Sequence, residues 1–175
     1  ATGVNNQSQE TYGGYGVVTF GNQLGSIPYD GNIGIRAVRT KLTSDGALVN
    51  SLGETLPLNA GQSYNSFLPS LNVSFHLTDK LQWRFAASKA LSRPTFDQLN
   101  PMLQLSTPDA TTGVNAYTGT AGGNPYLKPM TAKQYDTSLE WYLSPSQLLY
   151  GALFYKAVEG FVQTITLAKH EVDQL

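Results

Sequence analysis

The chain contains no cysteine among its 175 residues. Disulfides, thiolate nucleophiles and Cys-ligated zinc or iron–sulfur clusters are therefore excluded. Charge is scarce too: Asp, Glu, Lys and Arg make up 13% of the residues, against about 25% in ordinary globular proteins. Eleven basic residues stand against twelve acidic ones, a net charge of -1. That balance supplies no field for the phosphate backbone, so nucleic acid is not an expected partner. Long apolar runs are also missing. The richest stretch, Leu148 to Phe154, has seven residues, far short of the roughly 18 a transmembrane helix needs. Any membrane crossing must be made by strands. The start, at Ala1, shows neither Met nor a charged segment followed by an apolar one, as expected of a mature protein or an excised piece.

What is present is equally distinctive. Hydrophobic residues make up 41% and aromatics 11%, and polarity is carried by 14 Ser, 17 Thr, 11 Asn and 11 Gln. Disorder requires low hydrophobicity with high net charge, so this chain folds. Period-two alternation predicts how. Leu81, Trp83, Phe85 and Ala87 share one face while Gln82, Arg84, Ala86 and Ser88 share the other. Upstream, Leu71, Val73, Phe75 and Leu77 alternate with Ser70, Asn72, Ser74 and His76, and Thr78-Asp79-Lys80 turns between the two runs. This reads as a β-hairpin. A second hairpin joins Leu139, Trp141 and Leu143, which alternate with Ser138, Glu140 and Tyr142, through Ser144-Pro145-Ser146 to Leu148–Lys156, whose two faces are both apolar. Tyr12–Phe20 and Asn32–Thr40 form a third pair. Their connection is expected over Gly21–Gly31, with Pro28 and Asp30-Gly31 as turn signals.

Connections between the pairs are expected to be long, roughly Ser44–Gln62 and Arg93–Ala132. Soluble domains rarely carry structureless loops of that size. Transmembrane β-barrels do, with short periplasmic turns, long extracellular loops and strands alternating apolar-out and polar-in. Aromatics fall in two rows: Phe75, Trp83, Trp141, Tyr142 and Phe20 near the short turns, and Tyr12, Tyr64, Phe67, Tyr135 and Tyr155 near the long loops. Two interfacial girdles would look like this.

Several segments carry a family resemblance. Phe67-Leu68-Pro69-Ser70-Leu71-Asn72, Leu81–Ala90, Leu91-Ser92-Arg93-Pro94-Thr95-Phe96 and Leu99-Asn100-Pro101 occur in order. They are followed by Gly123-Asn124-Pro125-Tyr126-Leu127-Lys128-Pro129, Tyr135–Tyr142 and Leu153-Phe154-Tyr155-Lys156. Together they resemble the C-terminal part of the barrel in TonB-dependent outer-membrane receptors. Pro28–Thr40 resembles the preceding strand, particularly in the subgroup of Caulobacter- and Xanthomonas-like bacteria. Met130 departs from the pattern, standing where the family commonly has an acidic residue.

The resemblance implies an all-β fold, an antiparallel transmembrane β-barrel fragment of about six strands. Six or seven strands cannot close even an eight-stranded barrel, so residues 1–175 are expected to be one partial barrel domain. The plug domain, the TonB box and the remaining strands are expected to lie elsewhere. It further implies residence in the outer membrane of a Gram-negative bacterium. There the protein would take up a siderophore, cobalamin or an oligosaccharide, with outer-membrane lipid, its own plug and TonB with its inner-membrane energising complex as partners.

Among individual residues, Arg93, Pro94, Asn124, Pro125, Lys128 and Pro129 are expected to shape the longest loop, because Pro and Gly fix turns. Ligand contacts are expected instead from Asp109, Asn115 and Tyr117. Arg84, Glu140, Asp136 and His76 fall on polar faces and would line the lumen. His76 and His170 lie too far apart in sequence to suggest a metal site, and no Gly-x-Ser-x-Gly elbow, P-loop or dinucleotide fingerprint is present. No catalytic residue, metal or cofactor is expected. The rival reading is a soluble all-β carbohydrate-binding or adhesion domain, with its alternating faces packed as a sandwich.

Overall fold

The computed structural model describes residues 5–106 and 118–165. Eight strands follow in order: β1 Asn6–Leu24, β2 Ile27–Val49, β3 Thr55–Thr78, β4 Leu81–Ser92, β5 Leu103–Ser106, β6 Thr118–Ala121, β7 Met130–Ser144 and β8 Gln147–Glu159. All belong to one sheet of order β6-β5-β2-β3-β4-β7-β8, with β1 also paired to β2. The sheet curls into a half-barrel. Every pairing between long strands is antiparallel; the short β2–β5 contact, Leu48 with Leu103 and Val49 with Gln104, is parallel.

The strands are longer than the alternation suggested. The first turn is only Gly25-Ser26, and Pro28, Asp30 and Gly31 lie within β2, so the expected Gly21–Gly31 connection is corrected to a tight hairpin. Gly25 has φ of 62°, the left-handed backbone that a two-residue turn demands and glycine adopts freely. Pro28 is tolerated because the ladder to β3 begins one residue later, at Tyr29 opposite Phe75.

The expected Ser44–Gln62 loop is likewise a tall hairpin, paired up to Val49 opposite Thr55. Its tip is closed by Asn50. The side-chain oxygen of Asn50 accepts from the amides of Leu52 at 3.0 Å and Glu54 at 2.9 Å, while its amide nitrogen donates to Glu54 Oε2 at 2.8 Å. The Arg93–Ala132 segment also carries structure of its own, in β5 and β6.

Register assigns the faces, since directly paired residues point to the same side of a sheet. One face carries Val18, Ile33, Leu71, Ala87, Tyr135 and Tyr155 in one row, and Tyr29, Phe75, Trp83, Leu139 and Gly151 in another. On β2 this face runs from Tyr29 to Ala37 without a charge, and its first ion is Arg39. Nine residues is the length of a membrane-crossing strand. These side chains stay open, with Ile33 and Ile35 each 53% exposed and Leu153 76%. Among the described residues no second sheet covers them. A β-sandwich would bury that face.

The opposite face carries Asn32, Asn72, Ala86 and Asp136, then Asp30, Ser74, Arg84 and Ser138. β8, apolar on both sides in sequence, is resolved by its pairing with β7: Leu149, Gly151, Leu153 and Tyr155 share the uncharged face, and Leu148, Tyr150, Ala152 and Phe154 the polar one. The aromatic rows are corrected at two places. Tyr64 pairs with Thr40 and Tyr142 with Leu148, so both stand on the polar face. Tyr29 joins the short-turn row, where Phe20, Tyr29, Phe75 and Trp83 succeed one another at centroid separations of 6.3, 5.9 and 5.2 Å.

Candidate ligand-facing site on the inner wall

The polar face is the one that can line an aqueous lumen, and its side chains are already engaged with one another. Asn72 Nδ2 donates to Asn32 Oδ1 at 2.9 Å. His76 Nε2 meets Asp30 Oδ1 across the β2–β3 pair. Arg84 Nε lies 3.4 Å from Glu140 Oε1, and the Tyr142 hydroxyl donates to the other carboxylate oxygen at 2.8 Å. Sequence spacing pointed to no partner for His76, because Asp30 sits 46 residues away and only β-register brings them together.

Higher on this wall the segment following β4 folds back onto β2 and β3. Its first turn is self-capped: Thr95 N donates to Gln98 Oε1 at 3.0 Å and Gln98 N to Thr95 Oγ1 at 3.4 Å. That turn presents Leu99, which is 2% exposed, and the Leu99 carbonyl accepts from Ser44 Oγ at 3.4 Å. Val38, Thr40, Leu42 and Ser44, all on the inner face of β2, are buried in the same region. This is where the core of the chain sits. Each large apolar side chain buried here contributes about 1.5–3 kcal/mol. Gly46 faces the same seam, where a Cβ would fall 2.6 Å from Pro101 Cγ.

The second half of the segment is fastened to the first and to the wall. Asn124 N donates to the Gln98 carbonyl at 2.7 Å, and Asn124 Oδ1 accepts from Tyr126 N at 2.9 Å. A Cβ on Gly123 would collide with the backbone carbonyls of Asp97 and Gln98. Gln62 Nε2, on β3, donates to the carbonyls of Pro125 at 2.8 Å and Leu127 at 2.9 Å. Gln7, on β1, donates to the Phe96 carbonyl at 3.0 Å.

The structure thus places Arg93 and Pro94 directly after β4, and Asn124 and Pro125 in the clamp. Lys128, exposed, and Pro129, half-buried, lead into β7. Asp109, Asn115 and Tyr117 lie outside the described residues. Gln62, Gln7 and Ser44 were not singled out in the sequence, since an amide or hydroxyl on a strand carries no signal until its partner is known. Among the described residues, three buried polar atoms, Gln7 Oε1, Thr40 Oγ1 and Arg93 Nε, have no hydrogen-bond partner. Among the described residues no three His, Asp or Glu side chains converge as metal ligands.

A single curled sheet with an uncharged band on its outer face, a polar inner face and a loop folded against that inner face is the wall of a large barrel. Residues 2–170 match the family described as TonB dependent receptor-like, beta-barrel. The chain belongs to that family. No curated protein sequence matches it. Among solved structures, the ferric yersiniabactin uptake receptor FyuA from Yersinia pestis aligns with a TM-score of 0.52 and 14% identity, over 89% of this chain and 21% of that one. The ferric-catecholate import receptor Fiu from K12 E. coli, in its closed form, aligns with a TM-score of 0.54 and 16% identity, over 89% and 22% respectively. At these identities the likeness concerns the fold. The TonB-dependent receptor chain described here spans about a fifth of the length of either structure.

Proposed function

We propose that this chain is part of the wall of an outer-membrane receptor that imports a scarce nutrient in a TonB-dependent way. The observation that carries the reading is the division of one sheet into a face without charge over a membrane's thickness and a face of hydrogen-bonded polar groups. Hydrocarbon forbids unpaired backbone groups, so a sheet of this kind must close on itself, and ligand selection then falls to the lumen and loops. Residues 1–175 form one partial barrel domain in this reading. On the same reading the plug fills the barrel of the whole protein in the Gram-negative outer membrane, and TonB with its inner-membrane complex energises import through that plug.

The nutrient class in this reading is a ferric siderophore, cobalamin or an oligosaccharide. Asp109, Asn115 and Tyr117 are proposed to meet it. The segment Pro28–Thr40 supports a Caulobacter- or Xanthomonas-like subgroup. The wall's groups bind and position, and the proposal assigns them no covalent chemistry.

The test is uptake by the full-length protein in outer-membrane-intact cells, using labelled ferric siderophores, cobalamin and oligosaccharides. One class should accumulate, and collapse of the proton gradient or loss of TonB should abolish that accumulation. Uptake that survives both would contradict the proposal.

A further inference from the structure

The outer wall carries a depression among the described residues. On β1, β2 and β3 the outward residues form two cross-strand rows, Tyr12–Arg39–Asn65 and Gly14–Ala37–Phe67. These six, with Gly13, Val38 and Ser66 between them, line an open cleft of about 370 Å³. Gly14 and Ala37 make its floor because they project almost nothing, and a Cβ on Gly14 would meet no atom within 4 Å. Tyr12 and Phe67, both exposed, make its walls.

The cleft sits where the uncharged band ends. Below it on β2 the outward residues are Ile35 and Ile33, and above it come Arg39 and then Lys41. Neither cation has an ion pair among the described residues. Glu10 is the nearest outward acid in the register, opposite Lys41, and it accepts from the Tyr12 hydroxyl at 3.4 Å. An apolar slot opening toward lipid, with a guanidinium and an ammonium at its upper rim, matches one kind of molecule: an amphiphile with an acyl chain and an anionic head.

We infer that the cleft binds a membrane lipid bearing a phosphate headgroup. One acyl chain lies over Gly14 and Ala37 between Tyr12 and Phe67. The phosphate is held by Arg39, with its planar fork of donors, and by Lys41. Asn65, in the same row, offers an amide donor to the headgroup. The inference rests on the membrane reading of the outer wall but goes beyond it, because a uniform wall would select no lipid.

The test uses the full-length protein in detergent, with binding read by native mass spectrometry for dioleoyl phosphatidic acid and for dioleoylglycerol, which lacks the phosphate. The double variant Arg39→Gln/Lys41→Gln is expected to weaken phosphatidic acid binding roughly 30-fold, at about fivefold per basic residue, and to leave dioleoylglycerol unchanged. Gly14→Phe should weaken both, by filling the floor. The unaltered protein is also exposed in vesicles to a photoactivatable phosphatidic acid, with adducts expected on peptides containing residues 12–14 and 37–41. Unchanged phosphatidic acid binding in either variant would overturn the inference. So would displacement by inorganic phosphate alone, occupation by a second copy of the chain instead of lipid, or adducts spread evenly around the band. Absence of adducts anywhere on the outer face would overturn the membrane reading with it.

Discussion

Gln62 Nε2 stands 2.8 Å from the carbonyl oxygen of Pro125, a contact bridging 63 residues of sequence. With the Leu127 carbonyl at 2.9 Å, it ties the returning half of the longest loop to the barrel wall. Replacing Gln62 by Ala removes both bonds and leaves two part-buried carbonyls, a loss of about 1–3 kcal/mol in local docking. Amide exchange and proteolysis across residues 93–106 and 118–129 should speed up by an order of magnitude or more, with exchange in β7 unchanged.

Thr40 behaves in the opposite way. Its side chain is buried at 1% exposure, and Oγ1 has no hydrogen-bond partner among the described residues. Thr40→Val exchanges that hydroxyl for a methyl of the same shape and relieves an unpaid desolvation, so stability should hold or rise by about 1 kcal/mol. Thr40→Ala, which leaves a void, should lower it. Denaturant midpoints of the two variants against the parent protein check the sign.

The depth of a residue in the band should set the cost of placing charge there. Leu71→Lys, in the middle of the outward face, should cost about 2–4 kcal/mol, and Trp83→Lys, close to the short turn, about 0–1 kcal/mol for the charge. Trp83 also donates its indole N–H to Thr137 Oγ1 at 2.7 Å, so its replacement loses that bond too. Arg84→Ala, on the inner wall, should be mild. Its ion pair with Glu140 is half-exposed on the arginine side, and such pairs are worth about 0–1 kcal/mol. Folding yields in lipid vesicles, read by heat-modifiable gel migration, rank the three.

Two glycines with ordinary backbone should separate by what surrounds them. Gly123→Ala drives a methyl into the carbonyls of Asp97 and Gln98, so the Asn124 N–H bond to Gln98 must open. Gly14→Ala points into open space and should be tolerated. Loop protection measured by amide exchange should fall for the first variant only.

How far the sequence reaches follows from which forces are local. Alternation along Leu71–Leu77 and Leu81–Ala87 reports directly on faces, so those hairpins and their polar and apolar sides could be read from the residues alone. Above the membrane band no such constraint acts. Residues 44–62 are polar and glycine-rich and look like a loop, yet they pair because the ladder begun at Tyr29 and Phe75 runs on without slipping and the returning loop covers its inner side. Asp30-Gly31 is a strong turn signal locally. It loses to Gly25-Ser26, which lets Tyr29 and Phe20 enter the aromatic row. The clamp made by Gln62, Gln7 and Ser44 was illegible for a different reason, since each partner is a backbone carbonyl far along the chain.

A sheet with one face in lipid and the other in water has a direct spectroscopic signature. Because the chain contains no cysteine, single cysteines introduced one at a time along β2, from Ile27 to Thr43, carry a nitroxide label without background from this region. In membranes the full-length protein should show oxygen accessibility peaking at every second residue from Tyr29 to Ala37. The alternation should give way to the polar relaxant at Arg39 and beyond. Equal accessibility on both faces, or oxygen maxima at Asn32, Gly34 and Arg36, would contradict the account.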